Sequence, residues 1–311
     1  MRVISVINFK GGVGKTTLTA NLGAELARRG KRVLLVDLDP QSSLTYSFYS
    51  VDMAAGRVPP ERTIKAWYDS FDGGMPRRSL GECLAIPRAV NDKVAANGGF
   101  VGLIPSTMSL IDHELSMLAN VGLGGVAPGQ ELYRLRRALA DALHDGAFAG
   151  YDIALIDCPP NFNIVTQSAI VASDHVLVPS RPDYLSTLGI TSLVHNVKRL
   201  VEMFNHQVVE FHRDRPTIAP TVLGVVFTMV RYGSVHPIHS HTYYMEVAQR
   251  RNPGLPIFTT SIRENAAFGP ENPDGVPLIL QLKQTDKVYV ELMALATEFL
   301  ESTGLVERAA A

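Results

Sequence analysis

The sequence predicts a doubly wound α/β fold, a mostly parallel sheet with helices on both faces. Short apolar runs alternate with longer amphipathic stretches along almost the whole chain. The runs are rich in Val, Ile and Leu and lack in–out alternation, as strands covered on both sides require. The first of them passes through a glycine-rich turn into a helix, the unit from which such sheets are built.

Taken in order, Val3–Ile7 reads as a strand and Lys15–Arg29 as the helix after the turn. Val33–Val36 is the second strand and Gly99–Ile104 the third. A helix over about Gln130–Asp145 leads to the strand Ile153–Ile156, the helix Ile164–Ala172 and the strand His175–Val178. The helix Leu185–Asn205, the strand Val222–Phe227 and the helix Pro237–Arg250 follow. A short strand at Ile257–Thr259 and a helix from about Asp286 to Ser302 close the pattern. Residues 50 to 98 break the rhythm with Gly, Pro and charge, and read as an insertion or lid with one or two short helices. VGLGGVAPGQ, residues 121 to 130, reads as a flexible connection. We read 1–311 as a single domain, and no internal repeat interrupts it.

At 311 residues, 46% hydrophobic and 19% charged, the chain has the balance of a globular protein with a large core. Its 29 Lys and Arg nearly offset 30 Asp and Glu, so a polyanionic partner requires a local patch. Two cysteines, Cys83 and Cys158, do not make a disulfide framework and suit a reducing cytosol. The N-terminus enters a strand without a leader, and no run has the ~18 apolar residues of a membrane span. A cytoplasmic protein is expected.

NFKGGVGKTT, residues Asn8 to Thr17, places a glycine-rich turn between a strand and a helix. Backbone N–H groups and the positive helix end then converge on one point, which binds phosphate. Gly11, Gly12, Val13 and Gly14 form the cradle, Lys15 reaches the β- and γ-phosphates of ATP, Thr16 ligates Mg²⁺, and Thr17 meets the α-phosphate. LLVDLDPQ delivers Asp37 and Asp39 to the ligand-binding edge of the next strand. Two carboxylates beside a triphosphate suit metal orientation and activation of water. YDIALIDCPP ends another apolar strand in Asp157, a Walker B acid for Mg²⁺. Taken singly, each carboxylate also fits a structural or turn-forming role.

The usual phosphate loop has glycine where this chain has Phe9, and it lacks the second lysine, Lys10. Lys15 serves the phosphates in cis, so from the residues alone Lys10 reads either as a solvated surface lysine or as a cation aimed at a phosphate on another chain, as with a trans arginine finger.

KGGVGKTT, LLVDLDPQ and YDIALIDCPP, followed by VLVPSRPDYLSTLGI, VLGVVFTM and PIFTTSIRENAAFG, resemble the deviant Walker A ATPases, and among them the ParA/Soj branch. The resemblance covers nearly the whole chain except about 50 to 98. It implies a homodimer formed on ATP binding, with Lys10 crossing to the partner's ATP. It implies Asp39 as the catalytic carboxylate, Asp37 as an acid on the Mg²⁺ side, and Lys10, Lys15 and Asp39 as the catalytic set. It also implies non-specific DNA binding, nucleoid association, slow hydrolysis and acceleration by a ParB-like or cargo-adaptor protein.

Between residues 181 and 263, nine Lys and Arg face five Asp and Glu in a chain of net charge −1. Lys198, Arg199, Arg231, Arg250, Arg251 and Arg263 are the candidate DNA contacts. Arg231 alternatively edges an adenine pocket with Thr228, and Arg250–Arg251 alternatively complement a helix dipole. The HPIHSH stretch, with His236, His239 and His241, lacks ligand spacing and reads as a solvated loop. No basic amphipathic C-terminal helix, tyrosine cluster, paired cluster cysteines or preceding helix-turn-helix points to the membrane, kinase, iron–sulfur or operator-binding relatives. The expected function is an ATP-dependent dimerising ATPase that positions DNA or another cargo. A nucleotide-switched scaffold that does not use DNA is the alternative from another class, and a ligase of the dethiobiotin-synthetase kind is a third.

Overall fold

In the computed structural model, the described residues are 1–50, 54, 56–71, 77–111, 128–268 and 274–305. Six strands form one all-parallel sheet: β1 Arg2–Val6, β2 Arg32–Asp37, β3 Phe100–Ile104, β4 Ile153–Asp157, β5 His175–Ser180 and β6 Thr221–Phe227. Their order across the sheet is β3-β2-β4-β1-β5-β6. The nine helices described here are α1 Lys15–Arg28, α2 Ser43–Phe48, α3 Ile64–Asp69, α4 Arg88–Val94, α5 Pro128–Leu143, α6 Ile164–Ala172, α7 Tyr184–Phe211, α8 His239–Arg251 and α9 Lys287–Thr303.

Alternate strand residues feed two cores. Val36, Ala154, Ile156, Val176 and Val178 pack beneath α3 and α5 to α8, whereas Ile4, Val6, Leu35, Leu155 and Leu177 pack beneath α1, α4 and α9. A sheet covered on both sides needs apolar residues at every strand position, which explains the absence of alternation in the sequence.

The expected strands and helices appear with ends shifted by a few residues. Two differences are larger. Ile257–Thr259 contributes one parallel bridge to Val225 and no strand. Helix α7 runs on to Phe211, because Phe204 and Val208 continue the buried stripe set by Val197 and Leu200. The described part of 50–98 carries three short 3₁₀ turns besides α3 and α4, and it buries Ile64, Trp67, Tyr68, Leu80, Val90 and Val94 in the two cores. It is the crossover from β2 to β3 and is packed against the sheet. The 121–130 connection lies outside the described residues up to 127.

Candidate functional site: a phosphate loop with three carboxylates

Strands β2, β4 and β1 are neighbours, so the three motifs that follow them meet at the carboxyl edge of the sheet. Register fixes the details. Asp37 stands opposite Asp157, and Val6, the last residue before the loop, stands on the other side of Asp157.

The loop itself is shaped by backbone conformations that only glycine takes without strain: Gly12 has φ +67° and Gly14 φ +78°. A Cβ at Gly11 or Gly12 would meet nothing within 4 Å, so the space over the loop is open. Gly14 is the N-cap of α1 and offers no side-chain cap, leaving the first N–H groups of the helix for a ligand. Lys15 is 6% exposed and lies across the loop, its Nζ 3.4 Å from the carbonyl of Lys10. Burial lowers its pKa, while Asp157 and Asp39 act in the opposite direction.

The three acids differ in their surroundings. Asp157 is fully buried; its Oδ2 accepts the Thr16 hydroxyl at 2.6 Å, and its Oδ1 has no hydrogen-bond partner. Burial, reinforced by the neighbouring Asp37, holds its carboxyl well above the usual range. Asp37 is likewise buried: its Oδ2 accepts the N–H and hydroxyl of Thr45 at 2.8 and 2.7 Å, and its Oδ1 accepts the Asp39 N–H at 3.1 Å. Burial pushes its pKa to about 7 even though the Thr45 bonds pull it down. Asp39 is only half-buried and receives the Gln41 N–H at 2.9 Å. An orphaned carboxylate oxygen next to a threonine hydroxyl at a phosphate loop is the donor set a hard, oxygen-seeking cation requires. The residues therefore fit Mg²⁺.

Next to the loop lies a cavity of about 240 Å³, bounded by Thr17, Leu18, Thr228, Met229, Ile262 and Phe268 among others. Thr228 locks it to the loop, its hydroxyl donating to the Val13 carbonyl at 2.7 Å. An apolar slot adjoining a phosphate cradle suits a nucleobase. Arg231 does not line it; its guanidinium pairs with Glu264 at the surface.

Lys10 points away from the loop. Its Nζ donates to both oxygens of Asp183, at 2.9 and 3.0 Å, and to Ser186 Oγ at 3.0 Å. Asp183 is also the N-cap of α7, accepting the Ser186 N–H. Burial opposes ionisation of Asp183, but the bonds from Lys10 and Ser186 hold its carboxyl below the usual range. Sequence reasoning did not single out Asp183, Ser186 or Thr45, nor Met229, Ile262 and Phe268. The only local signal was Asp-x-x-Ser at the start of a helix, which reads as a cap before it reads as a lysine partner.

Of the candidate DNA contacts, Arg231 and Arg263 come together through the bridge between Val230 and Arg263. Arg263 is engaged: it pairs with Glu291 at 2.7 Å and lies over the Tyr232 ring. Lys198 and Arg199 lie on α7, and exposed Arg250 and Arg251 end the neighbouring helix α8. His241 Nδ1 accepts the Arg231 N–H, and no cluster of three or more His, Cys, Asp or Glu able to hold a metal occurs among the described residues. Cys83 and Cys158 are both buried thiols.

The profile of a family described as an AAA domain matches residues 1–209. The chromosome partitioning protein ParA of Caulobacter vibrioides is 32% identical over 229 residues, covering 74% of this chain and 70% of that protein. The chain belongs to the ParA/Soj family of P-loop ATPases. The sporulation initiation inhibitor protein Soj of Bacillus subtilis is 31% identical over 66% of this chain and 68% of that protein. An uncharacterised protein of Pseudomonas putida, at 35% identity, is matched over 66% of its own length. Among solved structures, a Cyanothece McdA–ATP complex aligns with TM-score 0.71 and 18% identity over 99% of this chain and 98% of that one. A putative plasmid partition protein of Borrelia burgdorferi bound to AMPPNP aligns with TM-score 0.64 and 18% identity over 96% and 98%. These two likenesses establish the fold of the ParA-like chain and nothing finer. No helix among its described residues is long and apolar enough to cross a membrane.

Proposed function

We propose that the protein is an ATP-dependent dimerising ATPase that positions DNA or another cargo, binding DNA non-specifically in its ATP state and yielding to a partner that stimulates hydrolysis. The observation that carries this reading is Lys10. A phosphate loop already served by Lys15 holds a second ammonium outside itself, on an acid that also caps a helix. Beside it, Tyr184 and Leu185 are 55% and 66% exposed, an apolar pair suited to cover by a second copy. The solved McdA and Borrelia partition proteins hold ATP and AMPPNP, which supports ATP as the ligand here.

On this reading Gly11 to Thr17 bind the triphosphate, with Val13 held by Thr228 beneath the base. Bound at Thr16 and Asp157, with Asp37 behind them, Mg²⁺ would neutralise charge on the β- and γ-phosphates. Lys15 reaches the same oxygens from inside the loop, and Lys10 leaves Asp183 for the partner's γ-phosphate. Asp39, the most exposed of the three acids, accepts a proton on its carboxylate from the water that attacks the γ-phosphorus, as ADP departs. Arg231, Lys198, Arg199, Arg250, Arg251 and Arg263 supply the DNA-facing charge, Arg263 only once it parts from Glu291.

Gel shifts on random duplex DNA with ATP, with ADP and without nucleotide, run beside light scattering, test the proposal. ATP-dependent dimerisation together with a salt-sensitive shift is expected. Dimerisation with no shift at low salt would instead favour the nucleotide-switched scaffold, and turnover that needs a small-molecule acceptor would favour a ligase.

A further inference from the structure

A cleft of about 460 Å³ opens beside β3, the edge strand of the sheet, and shares no residue with the phosphate loop or the base cavity. Arg57, Arg62 and Arg88 surround it, all three exposed, and Val58, Leu84 and Ile86 form its apolar part. Tyr49, at the end of α2, closes the inner wall.

Charge is the first peculiarity. Among the described residues no Asp or Glu lines the cleft, and none of these three guanidiniums has an ion pair or a side-chain hydrogen bond there. Elsewhere in the chain arginine is regularly answered: Arg28 and Arg29 by Glu25, Arg137 and Arg215 by Asp141, Arg231 by Glu264, and Arg263 by Glu291. The chain as a whole carries −1, so this local excess is not the by-product of a basic protein. Three arginines around one cleft, with no counter-ion among the described residues, repel one another, an arrangement stabilised by an anionic ligand.

Backbone geometry supplies the second. Ala85 exchanges both of its hydrogen bonds with Leu103 of β3, at 2.8 and 2.9 Å, so residues 84–86 add one extended strip outside the sheet. Ile86, in that strip, is 48% exposed. The Leu84 N–H is already held by the Gly81 carbonyl at 3.1 Å and Pro87 has no N–H, so the strip offers an extended peptide an exposed aliphatic side chain to lie against rather than a free sheet edge. An apolar patch with arginines at its rim has the anatomy of a protein interface. Duplex DNA would satisfy the arginines but leave the apolar part uncovered in a concavity it cannot enter.

The geometry points to a docking site for an extended acidic peptide of a partner protein, its carboxylates on Arg57, Arg62 and Arg88 and an aliphatic side chain against Leu84 and Ile86. The site is separate from the nucleotide, so its occupation does not depend on the function proposed above.

Fluorescence anisotropy with a labelled peptide of three Glu-Glu-Leu-Asp repeats, on the full chain without nucleotide, tests it. Saturable binding is expected, weakened about tenfold or more when Arg57→Gln, Arg62→Gln and Arg88→Gln are combined, because three charge-assisted contacts are lost. Ile86→Ser should weaken it several-fold at unchanged salt dependence, whereas Lys198→Gln with Arg199→Gln should leave it intact. All variants alter exposed side chains, and an unchanged melting temperature certifies their folding. Three results overturn the inference: no saturable binding, equal losses in the two basic variants, or displacement of the peptide by random duplex DNA that itself depends on the three arginines.

Discussion

Lys10 and Lys15 are five residues apart and stand in different surroundings, Lys15 buried over the loop and Lys10 held outside it. Lys15→Ala should abolish ATP binding measured by titration calorimetry. Lys10→Ala should keep most of that binding and lose the ATP-induced dimer in light scattering, and an undisturbed dimer would remove the trans role. The acids carry a pH signature. The Asp37 carboxyl, ordinarily near 3.8, is pushed to about 7 by burial beside Asp157. Between those values the folded chain holds a proton that the unfolded chain has released, so nucleotide-free stability falls as the pH rises from about 4 to about 7. Asp37→Asn removes that ionisation, and thermal melts from pH 4.5 to 7.5 should show a visibly flatter profile for the variant.

Helix α1 is fastened at its far end by Glu25, whose side chain is fully buried and takes both Arg28 and Arg29. Arg29 continues to the Met293 carbonyl of α9, so one carboxylate ties the phosphate-loop helix to the C-terminal helix. Glu25→Ala strands two cations against the core and should cost about 3 kcal/mol in denaturant melts. At the start of α7, Asp183 both caps the helix and holds Lys10. Asp183→Ala should therefore cost about 1 kcal/mol, most of it recovered by Asp183→Ser, which restores the cap without the charge. Elements also limit what sequence alone conveys. Most strands were legible from their apolar runs, yet Ile257–Thr259 has the composition of a strand and forms only one bridge. Helix α7 ends beyond Asn205 because Val208 extends the stripe of Val197, Leu200 and Phe204 by one more turn, a continuation the apolar spacing carries but no cap residue marks.

For the whole molecule, the decisive property is strand order. Asp39→Ala should trap an ATP-bound dimer that persists on DNA, visible as a long-lived ATP-dependent gel shift, and normal turnover by this variant would reject Asp39 as the catalytic base. That expectation depends on β4 lying between β1 and β2, which brings Thr16 and Asp157 to 2.6 Å across 141 residues of chain. The sequence by itself supplied the chemical groups: a strand, a glycine-rich turn and a helix of the kind that cradles phosphate, and acids at strand ends, the edge where ligands bind such sheets. It also marked Lys10 as supernumerary. Only the tertiary structure decided which residues stand together. Pairing Asp37 with Asp157, Lys10 with Asp183 and Thr228 with Val13 requires contacts between residues more than a hundred positions apart, and in a parallel sheet those contacts are set by crossover connections and register, which local periodicity does not encode.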